Sequence, residues 1–235
     1  MSKLFNRIVF AHIVCALALS VNSCKKEDVN DKESVWGYES KNKVTRYVFP
    51  ESMSLMCDYE SSCVIFRAVV DGMVVGHGLT AHPNYKNLTE EDVAMREKLF
   101  DSMAVVYKDT AYNGMVSMTG NWALAYSIDS ISIVMDKEYD RKHPMGTSLS
   151  DVVNARITSY GECVFSGYEK KLIGFEKKVS ELTQLNRTLM ATSEDHNCSQ
   201  AFYIPQTDTP KDCQLTVTYF FSNGLNLSAS AQVKL

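Results

Sequence analysis

QLTVTYFFSNGLNLSASAQVKL, residues 214–235, is the stretch whose reading decides the fold. Eight residues rich in β-branched and aromatic side chains run from Gln214 to Phe221, Ser222-Asn223-Gly224 follows, and the chain returns from Leu225 to Leu235. Asn-Gly favours a hairpin turn because both central residues can take positive φ. On the return, Leu225, Leu227, Ala229, Ala231 and Val233 alternate with Asn226, Ser228, Ser230, Gln232 and Lys234. Side chains of a strand point to opposite faces in turn, so one face is apolar and the other wet. An antiparallel, half-buried hairpin is the prediction.

Working outward, strand signals dominate. Residues 44–49 alternate and stop at Pro50; residues 63–70 form a β-branched run ended by Asp71-Gly72, a turn signal, after which Met73-Val74-Val75 returns. Residues 122–127 and 131–135 read as a further pair. Three helical signals stand among them. Thr89-Glu90-Glu91-Asp92 resembles a capping box and leads into Met95, Leu99, Phe100 and Met103. Ser148-Leu149-Ser150-Asp151 looks like a second, shorter start. Leu172, Phe175, Val179 and Leu182 follow a three-four rhythm that predicts an amphipathic helix over 168–186, packed on a sheet. The fold class expected is mainly β, antiparallel and β-sandwich-like, with two or three helices; α+β is the alternative. Residues 136–146 are the strongest internal break, and residues 41–235 are expected to form a single globular domain.

The amino end carries another kind of information. Lys3 and Arg7 precede fourteen residues, 8–21, that are apolar except for His12 and Ser20, and no acid appears before Glu27. A membrane-crossing helix needs roughly 20 apolar residues, so this run is short for a span. A basic start with a short apolar middle is the layout of a secretory signal peptide. Val21-Asn22-Ser23-Cys24 resembles the lipobox of bacterial lipoproteins, with Asn22 a departure from the usual small residue. The resemblance implies cleavage after residue 23, acylation of Cys24 with palmitate-type chains and a membrane held through that lipid. Lys25-Lys26-Glu27-Asp28 resembles the surface-export signal of Bacteroidota lipoproteins. It implies an outer-membrane, surface-exposed location, with a periplasm-facing anchor as the alternative. Residues 24–40 are polar and mixed in charge and read as the acylated cysteine with a flexible tether. Asp129-Ser130-Ile131, Asp140 and the run from His143 to Asp151 resemble a segment of an uncharacterised group of Bacteroidota lipoproteins, which implies location and class but no chemistry.

The chain has 24 basic and 28 acidic side chains; losing residues 1–23 removes two basic groups and takes the net charge from −4 to −6. Without a run of lysine or arginine in the folded part, nucleic acid is not an expected partner. Five cysteines follow Cys24: Cys57, Cys63, Cys163, Cys198 and Cys213. An odd number leaves at least one thiol free, and Cys57 with Cys63, flanking a turn-like 58–62, is the candidate disulfide among several pairings.

Catalytic signals are weak. Gly76-His77-Gly78-Leu79-Thr80-Ala81 has the letters of a dinucleotide fingerprint, but His82-Pro83-Asn84 makes a turn where a helix is needed, so no cofactor is expected. His77 and His82 lie five apart, His143 and His196 read as isolated in polar loops, and no metal is expected. Cys163 beside Val164 and Phe165 reads as a buried thiol. Trp122 and Tyr126 are candidate platforms for a glycan, and the triplets starting at Asp101, Asp109 and Asp129 resemble O-glycosylation acceptors of exported Bacteroidota proteins. The function expected is that of a non-catalytic binding or structural module of the envelope, with a glycan or an envelope protein as ligand. A hydrolase with an unrecognised site is the alternative.

Overall fold

The hairpin of residues 214–235 forms as its alternation requires. β11 (Asp212–Phe221) pairs antiparallel with β12 (Asn226–Lys234), from Asp212 opposite Lys234 to Phe220 opposite Asn226. The turn differs in detail: only Gly224 takes positive φ, at 86°, and its N–H donates to the Phe221 carbonyl at 2.9 Å. Four residues, 222–225, therefore connect the strands, with Gly224 in the left-handed conformation. Residues 37–60, 62–81, 83–117, 119–172, 174–192, 200–207 and 211–235 are described by this computed structural model.

β6 (Ile128–Met135) joins the other side of β11, completing a three-stranded sheet. Residues 131–135 are thus paired with the final hairpin and not with 122–127. The larger sheet has seven strands in the order β8 (Phe175–Lys178), β7 (Asn154–Ile157), β10 (Gln200–Pro205), β3 (Cys63–Val75), β2 (Arg46–Tyr59), β5 (Trp122–Leu124) and β9 (Ala191–Thr192). Only the β2–β5 pairing is parallel. A third, small sheet joins β1 (Gly37–Ser40) to β4 (Gly114–Ser117), so the last four residues assigned to the tether are strand. The protein is mainly β, with two α-helices among the described residues. Residues 38–235 make one compact unit.

β2 and β3 are much longer than Pro50 and Asp71-Gly72 suggest. Pro50 lies opposite Gly72, and Glu51 is an extra residue bulged between Pro50 and Ser52. A Cβ on Gly72 would lie 1.8 Å from the Phe49 carbonyl oxygen, so the glycine permits close approach of two strands and makes no turn. The true reversal lies between Tyr59 and Cys63, where Glu60 N–H donates to the Cys63 carbonyl. Cys57 faces Phe66, and Cys63 faces Pro205 of β10. The expected Cys57–Cys63 disulfide is corrected here: both are free thiols, placed three residue steps apart along the ladder, beyond the reach of a bridge.

Two apolar layers flank the large sheet. On one face Val64, Phe66, Ala68 and Phe202 meet Ile133, Leu215, Val217 and Tyr219 of the three-stranded sheet, the sandwich core. On the other, Tyr47, Val75 and Ala123 receive Phe100, Ala104 and Tyr107 of α1 (Glu90–Tyr107). The capping box is present: Asp92 N–H donates to Thr89 Oγ1 at 3.1 Å, and Thr89 N–H donates to Asp92 Oδ2 at 3.3 Å. Each such ring or aliphatic side chain contributes about 1.5–3 kcal/mol when taken out of water.

Two helical expectations fail. Residues 168–186 hold β8 and two 3-10 turns, Val179–Glu181 and Leu185–Arg187. The edge of β7 offers residues 175–178 a ladder, while Gly174 weakens any helix through it. The apolar rhythm still finds burial, because Val179 and Leu182 enter the core from the turns. Residues 148–151 do not start a helix either: Leu149 N–H donates to the Ile133 carbonyl at 2.9 Å and its side chain is buried. The second helix is instead α2 (Gly161–Phe165), which sequence periodicity did not announce.

Candidate functional site

α2 sits where it does because Gly161 allows it. A Cβ there would lie 2.5 Å from the Leu185 carbonyl oxygen and 2.8 Å from that of Thr188, so only glycine lets the helix start abut the 185–187 turn. Ser159 locks the joint, its hydroxyl lying 2.6 Å from the Thr188 carbonyl oxygen and 3.0 Å from that of Leu185. Between α2, this turn and β8 lies a cavity of about 480 Å³ lined by Ser159, Glu162, Cys163, Lys170, Lys171, Phe175, Lys177 and Asn186.

Its polar groups are wired to one another. Glu162 accepts from Lys170 Nζ at 3.3 Å and from Asn186 Nδ2 at 3.2 Å. The buried Asn186 amide oxygen accepts from the Thr183 N–H at 3.1 Å and from Lys177 Nζ at 3.4 Å. Lys177 Nζ also stands 5.5 Å from the centre of the Phe175 ring. Lys171 has no hydrogen-bond or ion-pair partner among the described residues. Three ammonium groups against one carboxylate leave the lining with two positive charges in excess, in a chain whose net charge is −4. Low-dielectric walls around an excess of one sign of charge concentrate the field that an anion meets.

Cys163 is buried, and burial pushes its thiol above the ordinary cysteine range. Among the described residues, no imidazole lines the cavity.

The chain just before Lys170 and Lys171 is held by a clasp at Tyr168. Asp109, fully buried, accepts from Lys43 N–H at 2.7 Å, Val44 N–H at 2.8 Å and the Tyr168 hydroxyl at 2.8 Å. Burial raises the Asp109 carboxyl above the usual carboxylate range, and these bonds oppose it. Tyr168 is pushed up to about 12 by burial and by its bond to Asp109. Its backbone is left-handed, φ 68°, directly after Gly167 at φ 66°. A tyrosine holds that conformation only where its surroundings dictate it.

The residues singled out from sequence are scattered. His77 lies on the surface, its ring 2.8 Å from Asp101 and 3.6 Å from Glu97 on α1. His143 is not isolated: Nδ1 is 2.8 Å from Asp140 and Nε2 is 3.1 Å from Asp151, with the ring nearly buried. Trp122 is buried and donates its indole N–H to the Thr119 carbonyl at 2.7 Å, so it is core and not a platform. Tyr126 packs edge-on against Phe49. Asp109, from one of the glycosylation-like triplets, is the buried clasp; Ser102 and Ser130, from the others, are exposed. Among the described residues, no cluster of three or more ligand-type side chains is arranged for a metal. Cys24, His82, His196 and Cys198 lie outside the described residues. The lysine cavity was missed because its cations read as the wet face of a helix. The available signal was Lys170-Lys171 and Lys177-Lys178 so close together in an acidic chain.

Compared with protein-family models, with curated proteins and with solved structures, the chain matches none.

Proposed function

We propose that this chain is a lipid-anchored envelope lipoprotein whose folded unit is a non-catalytic binding module for an anionic ligand. The observation that carries the reading is the cavity beside α2. It has the size of a small-molecule site and two excess positive charges, and its one thiol is kept protonated. Charge and shape favour capture there, while no nucleophile is paired with a base among the lining residues.

The anchor half of the reading rests on the short apolar run ending at Cys24. No helix among the described residues is long and apolar enough to cross a membrane. A lipid at Cys24 would hold the domain at the outer membrane, outward-facing if the Lys25-to-Asp28 segment acts as an export signal. Each buried methylene contributes about 0.8 kcal/mol, so several chains on one residue make a durable anchor.

Labelled palmitate is expected to enter the wild-type protein and not Cys24→Ala, and protease added to intact cells is expected to remove the domain. Equal labelling of both proteins would end the anchor reading, and complete protection would move the domain to the periplasmic side.

A further inference from the structure

We infer that the anion received by the lysine cavity is amphiphilic: one carboxylate head on an apolar acyl or aryl body. The inference rests on the binding reading above and adds the ligand's class.

Three observations carry it. The first is size. A cavity of about 480 Å³ is far larger than a bare inorganic anion and falls within the range that holds an organic molecule. The second is the state of the polar wall. Ser159, Glu162 and Asn186 spend their side-chain groups on Leu185, Thr188, Lys170, Lys177, Thr183 and one another. A ligand rich in hydroxyls would find few neutral partners and would lose its own hydration without replacement. That disfavours a saccharide. The third is the combination of what remains. Lys171 is an unpartnered cation, Lys177 stands over the half-buried Phe175 ring, and the Cys163 thiol is neutral. A head that meets Lys171 and Lys177 leaves its body against Phe175 and Cys163, where apolar area leaves water.

The full folded protein, residues 25–235, is titrated with octanoate and phenylacetate, and in parallel with glucuronate, inorganic phosphate and neutral octyl glucoside below its micelle concentration. Calorimetry supplies affinity, and amide chemical shifts locate each probe. Octanoate or phenylacetate is expected to bind at least tenfold more tightly than glucuronate, phosphate or octyl glucoside. The shifts should fall on residues 159–163, 170–177 and 186. Lys171→Gln with Lys177→Gln is expected to weaken binding tenfold or more. Phe175→Ser should weaken the amphiphiles and leave phosphate unchanged, with an unaltered circular dichroism spectrum excluding misfolding. Lysine-dependent binding of glucuronate or phosphate as tight as that of octanoate would overturn the amphiphile and leave the anion site standing. Binding of no anion, or binding indifferent to the lysines, would overturn both.

Discussion

His143 shows what one side chain can do when both ring nitrogens meet carboxylates. Asp140 and Asp151 flank it, and the backbone of 140 pairs with that of 143, so the ring clips the loop that follows β6. The hydrogen bond to Asp140, opposed by burial and aided by Asp151, raises the imidazole above its usual value near 6.5. Against desolvation, which raises it, hydrogen bonds from His143 and from the 142–143 backbone hold Asp140 below the ordinary aspartate value of 3.8. The raised histidine contributes stability that is complete below 6.5 and fades as pH climbs through its folded value. The depressed aspartate contributes above 3.8 and fades as pH falls. The two overlap between about pH 4 and 6.5. Urea unfolding of wild type and His143→Gln should therefore differ most near pH 5 and least near pH 9. A difference that does not vary with pH would remove the ionic clip and leave only packing.

Among the elements, the β2–β3 pair depends most on one residue. The extra Glu51 shifts the alternation by one, which returns Met53, Leu55 and Cys57 to the same face as Val48. Without that bulge, the second half of β2 would turn its apolar side outward. Gly72 makes the bulge sterically feasible, because any Cβ would strike the Phe49 carbonyl. Gly72→Ala should lose on the order of 3 kcal/mol in urea denaturation. Gly78→Ala is the control: its Cβ meets nothing, and only its φ of 64° resists, at about 1 kcal/mol. Equal losses would mean that the close approach at Gly72 is relieved elsewhere. At this scale Asp71-Gly72 was legible as punctuation but not as the right kind, since turns and bulges favour the same residues.

The whole folded unit is held by the layer in which the two sheets share side chains. Phe202 stacks on Phe66 at 5.2 Å between ring centres and tilts against Tyr219 at 6.5 Å, so it touches both sheets. Phe202→Ala is expected to cost about 3–5 kcal/mol. Because both sheets lose the same contact, the domain should still unfold in a single transition, with tryptophan fluorescence and far-ultraviolet dichroism coinciding. Two separated transitions would show that the sheets are stabilised independently.

By itself the sequence determined what local pattern can carry: the closing hairpin, the capped helix after Thr89 and the predominance of strands. Period and capping chemistry act within a few residues, so they survive without knowledge of the rest of the chain. Only tertiary structure decided that residues 175–178 would add to the edge of β7 and not continue a helix, for a strand needs a partner that is distant in sequence. That pairing, with Gly161 against the 185–187 turn, brought Lys170, Lys171 and Lys177 around one cavity. Three lysines read along a chain are a solvated face. Set on the rim of one concavity, they are a field, and long-range packing alone sets that distance.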